Sequence, residues 1–102
     1  MPSAVSQISL DKLPPYNLEA EQSVLGACFK GEDAISKALE VLSEDDFYKA
    51  AHQKIFRAMR GRFEVSEPID VLSLADCLRQ ADELDFSGGV DYLCYFKDTV
   101  PT

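Results

Sequence analysis

The sequence predicts an all-α fold, a compact orthogonal bundle of about five helices plus a short helical turn. Three observations carry that prediction. Apolar residues recur at offsets of three and four along most of the chain, the spacing that lines one face of a helix. No run alternates apolar and polar for more than a few residues, so half-buried strands have no signature here. Breakers (Pro14-Pro15, Gly31, Glu67-Pro68, Gly88-Gly89, Val100-Pro101) divide the chain into helix-sized pieces joined by short connections.

The elements follow in order. Residues 1–13 are expected to form a flexible arm, closed by the stiff Pro14-Pro15 pair, with the domain proper over 14–102. Asn17 is placed to cap the first helix, and Glu19 and Glu21 put negative charge in its first turn, where the helix dipole favours it. Leu18, Val24, Leu25, Cys28 and Phe29 share a face, so the helix is expected to end near Phe29, with Gly31 as its stop. The second helix takes Asp33 to Leu42 on the stripe Ile35, Ala38, Leu39 and Leu42. Ser43 with Asp46 three residues on marks a short capped turn. Phe47 and Tyr48 follow as a bulky pair expected to plug the gap between the second and third helices.

The third helix is the longest, about Lys49 to Glu64, with Ala51, Ile55, Ala58, Met59 and Phe63 as its apolar stripe. Asp70 is placed to cap a fourth helix carrying Val71, Leu74, Ala75 and Leu78. Gly88-Gly89 permit a tight reversal closed to other residues. The fifth helix then buries Val90, Leu93, Cys94 and Phe96 and breaks before Val100-Pro101.

Composition narrows the function. The 102 residues carry 18 acidic against 10 basic side chains, a net charge of -8, with a pI near 4.4. Such a chain repels phosphate backbones and anionic lipid on average, which argues against a domain given over to gripping nucleic acid or a membrane surface. No stretch approaches the ~18 consecutive apolar residues of a membrane span. The opening residues lack the charged and apolar regions of a secretory signal, so a cytoplasmic protein is expected. Three cysteines without a CxxC pair are expected to be three buried thiols.

Catalytic signatures are missing in turn. The five glycines fall in neither GxGxxG nor the phosphate loop GxxxxGK[ST]. His52 is the only histidine, and is expected to pack or cap, a proton-transfer role being the alternative. Asp45-Asp46 are read as helix-dipole partners ahead of a cation site. No catalytic, cofactor or metal residue is expected.

The charge pattern is more informative. Lys49, Lys54, Arg57, Arg60 and Arg62 fall in fourteen residues that hold no acid. Lys54, Arg57 and Arg60 recur every three residues and so form a ridge on one side of the third helix. It reads plainly as a solvated face, and more sharply as a docking strip for an acidic partner or a neighbouring subunit; direct contact with phosphate is the third reading. The aromatics mostly fall at core spacing. Phe56 and Tyr95 lie off the main stripes and are the candidates for exposed contacts.

The order of these features resembles a family. The run Pro14-Pro15-Tyr-Asn-Leu-Glu-Ala-Glu-Gln-Ser-Val-Leu-Gly26 is similar to the opening of the replicative DNA helicases typified by bacterial DnaB. The likeness continues in Asp46-Phe47-Tyr48, His52, Ile55-Phe56, Pro68-Ile69-Asp70, Leu74, Leu78, Leu84, Gly88-Gly89, Tyr92-Leu93 and Val100-Pro101-Thr102. The resemblance implies the N-terminal helical head of a hexameric helicase, followed in the parent by a helical hairpin, a linker helix and a RecA-like motor that binds ATP and magnesium. It implies a collar built as a trimer of dimers, whose partners are other helicase subunits, the helicase-binding domain of primase and a helicase loader; no motif here marks the primase contacts, and DNA would be met only through the hexamer. On that basis Asn17, Phe47, Tyr48, His52, Asp70, Gly88 and Gly89 are architectural. A nucleic-acid-binding domain guiding single-stranded DNA into the ring, through Lys54, Arg57 and Arg60, is the alternative.

Overall fold

A computed structural model describes residues 17–99, and the side chains of 17–96; the expected arm over 1–13, Pro14-Pro15 and Val100-Pro101 lie outside the described residues. Among the described residues, five α-helices and one 3₁₀ turn follow one another: α1 (Leu18–Cys28), α2 (Glu32–Val41), the turn Glu44–Asp46, α3 (Ala50–Glu64), α4 (Val71–Gln80) and α5 (Gly89–Thr99). The described residues contain no strand.

Each start has a local cause. The Asn17 side chain accepts the Ala20 N–H at 2.9 Å, and Asp70 accepts the Ser73 N–H at 2.7 Å. That bond is the main reason the Asp70 carboxyl sits below its ordinary range. Ser43 and Asp46 cap one another across the 3₁₀ turn. The ends of α3 and α4 are built alike. Glu67 N–H reaches Arg62 O and Ser66 N–H reaches Phe63 O; Glu83 N–H reaches Leu78 O and Asp82 N–H reaches Arg79 O. This paired closure requires a left-handed residue, and Ser66 (φ 58°) and Asp82 (φ 60°) take that role without being glycine.

The core is one apolar cluster drawn from every helix: Leu25 of α1, Ile35 of α2, Ile55, Phe56 and Met59 of α3, Leu74 and Leu78 of α4, Leu93 and Phe96 of α5. Phe47, in the link before α3, is buried and packs on Phe56 with ring centroids 4.9 Å apart. Helix α1 packs on α2, α3 and α5, while α4 packs on α3 and α5. No Cα of α3 comes within 8 Å of one in α5, so those two helices meet through side chains alone.

Several sequence expectations need correction. Tyr48 does not plug the gap between helices; it is 60% exposed, because its backbone is held from below and its ring turns outward. On α5, Val90 and Cys94 are exposed while Leu93 and Phe96 are fully buried. Neighbours in sequence are about 100° apart round a helix, and the line through Leu93 and Phe96 is the one that faces the core. Only Cys28 is a buried thiol, pushed up to about 12 by burial; Cys77 is half-buried and Cys94 exposed. Leu18 is 38% exposed at the edge of the α1 stripe.

Candidate functional site

Helix α3 begins without a side-chain cap of its own, since Lys49 supplies none. The missing acceptor comes from α1. Glu21 is fully buried. Its Oε2 accepts the Tyr48 N–H at 2.7 Å, and its Oε1 accepts the Lys49 N–H at 3.3 Å. The same Oε1 lies 2.7 Å from Nδ1 of His52, which is also fully buried. Nε2 of His52 lies 2.8 Å from the Tyr92 hydroxyl, and Gln22 Nε2 donates to that hydroxyl at 3.3 Å.

These contacts fix one direction of donation. A carboxylate only accepts, so Nδ1 carries the imidazole proton and donates to Glu21. Neutral Nε2 then accepts from the Tyr92 O–H, and the Tyr92 oxygen accepts from Gln22. Burial holds the His52 imidazole below its ordinary value of 6.5, and the Lys49 charge pushes the same way; the hydrogen bond and charge of Glu21 oppose them. The neutral ring is the state that this cluster favours at pH 7. The chemistry is that of a structural polar core: three helices tied by one buried acid, one imidazole and one phenol.

A ring stack leads outward from it. His52 and Tyr92 are parallel within 9° at 5.9 Å, and Tyr92 and Tyr95 within 6° at 6.2 Å. Lys49 Nζ lies 5.0 Å from the Tyr92 ring centroid. Tyr95, at the outer end, is 48% exposed. Phe56 is not an exposed contact: it is fully buried, because the inward line of α3 runs through His52, Ile55, Phe56 and Met59.

The basic ridge is occupied by the protein's own acids. Arg57 is hydrogen-bonded to Glu83 and lies 3.9 Å from Glu44; Lys54 is 3.4 Å from Glu83, and Arg60 is 3.7 Å from Glu44. The hydrogen bond to Arg57 holds the Glu83 carboxyl below its ordinary range. Lys54, Arg57 and Arg60 therefore tie α3 to the segments before and after it, and their field toward an outside partner is reduced. Gly88 (φ +98°) and Gly89 (φ +76°) turn the chain into α5. A β-carbon at Gly88 would lie 2.7 Å from the Tyr92 β-carbon, whereas one at Gly89 would meet nothing within 4 Å.

Sequence reasoning passed over Glu21 as a dipole partner. A signal was there: positions 21, 24, 25 and 28 share one face of α1, so an acid at 21 sits on the apolar stripe and calls for a buried partner. Among the described residues, no three His, Cys, Asp or Glu side chains are placed to hold a metal, and no helix is long and apolar enough to cross a membrane. A cleft of about 350 Å³ lies between the end of α1 and the α3–α4 link, walled by Phe29, Ile35, Phe63 and Ile69.

An all-helical scaffold whose organised polar groups serve its own packing is the class these features define. The chain belongs to the DnaB family, described as the DnaB-like helicase N terminal domain, which matches residues 13–102. It is 43% identical over 98 residues to the replicative DNA helicase DnaB of Geobacillus stearothermophilus, covering 96% of this chain and 22% of that protein. It is 42% identical over 102 residues to DnaB of Treponema pallidum, covering 100% and 23%. The crystal structure of the N-terminal domain of DnaB helicase from Mycobacterium tuberculosis superimposes with a TM-score of 0.82 at 41% identity, over 88% of this chain and 65% of that one. The chain thus spans about a fifth of the length of the curated relatives it matches.

Proposed function

We propose that this domain is a collar element of a hexameric replicative helicase, where it mediates subunit association and docks primase or a loader during DNA replication. One observation carries the reading: the family match runs along residues 13–102, on a head that leaves large apolar side chains outside its core. Leu72 is 79% exposed and Phe86 59%; such side chains gain most from a partner's cover. On this reading ATP and magnesium belong to a motor domain of the parent, and this domain takes no cofactor of its own.

The experiment compares wild type with Leu72→Ser and Phe86→Ser. Both variants are expected to keep the wild-type melting temperature, since the side chains lie outside the core. At least one is expected to weaken self-association in sedimentation, or binding of the cognate primase's C-terminal domain in titration, by about tenfold (~1.4 kcal/mol). Unchanged association and unchanged primase binding in both would remove this assignment of the surface. No primase binding by the assembled collar itself would remove the docking half of the proposal.

A further inference from the structure

We propose that Glu21, His52 and Tyr92 form a pH-sensitive latch, which holds the first turns of α5 against α3 while His52 is neutral and loosens them when His52 takes a proton. The proposal goes beyond the collar reading and does not depend on it.

The geometry makes this joint unusual within the fold. Helices α3 and α5 do not approach by backbone. At this end they are joined by the Tyr92 hydroxyl on His52 Nε2 at 2.8 Å, by Phe96 edge-on to the His52 ring at 5.6 Å, and by Lys49 over the Tyr92 ring. Only the first of these has a direction that a proton can reverse. Once Nε2 is protonated it becomes a donor, facing an oxygen that already accepts from Gln22. The phenol's own proton must then leave the line between the rings.

Among the described residues, the charged groups facing His52 are few. Glu21 of α1 favours the imidazolium, while Lys49, just ahead of α3, and complete burial oppose it. Tyr92 is the group that α5 contributes. Little slack exists beyond Tyr92, because the Gly88 backbone packs against its side chain. Movement of Tyr92 therefore reaches the turn that carries Phe86, a side chain already 59% exposed. Loosening at acid pH exposes more of this end of the molecule without unfolding the α3–α4 core.

His52 is the only histidine, so its ring nitrogens give unambiguous NMR signals. At pH 7.5 the expected spectrum has Nδ1 protonated and Nε2 bare, with a titration midpoint below 6.5. Amide exchange across Tyr92–Phe96, corrected for intrinsic rates and compared with α3, is expected to rise by up to about tenfold per pH unit as pH falls from 6.5, the ordinary imidazole value, towards that midpoint, and to level off below it. His52→Gln removes the titrating group and should make α5 exchange independent of pH. Tyr92→Phe should do the same at a uniformly higher rate, and serves if His52→Gln does not fold. A doubly protonated ring at pH 7.5, flat α5 exchange between pH 7.5 and 5 in the wild type, or a slope that survives either substitution would overturn the latch.

Discussion

Two parts of the molecule use a carboxylate to tie helices together, one on a neutral imidazole and one on a guanidinium, and they differ in their access to solvent. At one end Glu21 and His52 are wholly buried, and every polar atom of the pair is matched. On the flank of α3, Arg57 and Glu83 touch just as closely, yet their side chains are 40% and 20% exposed. Coulomb attraction is strong where water is absent and weak where it is present. The buried pair has also given up its hydration, so it is costly to disturb by halves. Water can replace either partner of the exposed pair. Similar distances therefore stand for different energies, and burial decides which contact the fold relies on.

The sharpest way to break this contrast is Glu21→Ala. It strands the N–H groups of Tyr48 and Lys49 and the Nδ1–H of His52 in the interior, so a loss of about 3–5 kcal/mol is expected. For a domain of this size that lowers the melting temperature on the order of 15 °C or more, readable by calorimetry. A change under 1 kcal/mol would mean that the buried cluster contributes no more than the surface pairs.

Gly88→Ala tests the same region from its support. The added methyl collides with the Tyr92 β-carbon and also meets an unfavourable φ, whereas Gly89→Ala meets only the φ. The first should cost about 2–3 kcal/mol in denaturant melts and the second about 1. Equal losses would show that the approach of Gly88 to Tyr92 is slack.

The smallest expected effect is on the flank. Arg57→Ala should cost under about 1 kcal/mol, and less at high salt. Its pH signature follows from Glu83, whose carboxyl is held low by Arg57. A carboxylate with a depressed folded value contributes stability that is present above its ordinary value of 4.5 and lost as pH falls through the folded one. The wild-type advantage over Arg57→Ala should therefore shrink below about pH 4.5. A gap that persists to pH 2 would mean that Arg57 acts through the packing of its aliphatic stem.

Much of the architecture could be read directly from local pattern. Asn17, Asp70 and the Ser43/Asp46 pair act on amides within three residues, so sequence spacing alone locates them. The same is true of Gly88-Gly89, whose backbone angles are a local requirement. The site was harder to see. Phe56 lies one residue from the Ile55 line, and a rotation of α3 by less than a turn decides whether it faces solvent or core. The ridge Lys54, Arg57 and Arg60 is regular in sequence, but the acids that neutralise it stand at Glu44 and Glu83, on either side of α3 in the chain.

What the sequence determined by itself is the set of helices, their starts and stops, and the family, because each depends on residues a few places apart or on an ordered string of motifs. What only the tertiary structure decided is which charges are satisfied. Glu21, His52 and Tyr92 are separated by 31 and 40 residues, and nothing local to any of them says that they meet. Their joining depends on how α1 and α5 pack around the start of α3. Packing also removes the water that would otherwise leave the three groups independent, so their shared role exists only once the core has closed.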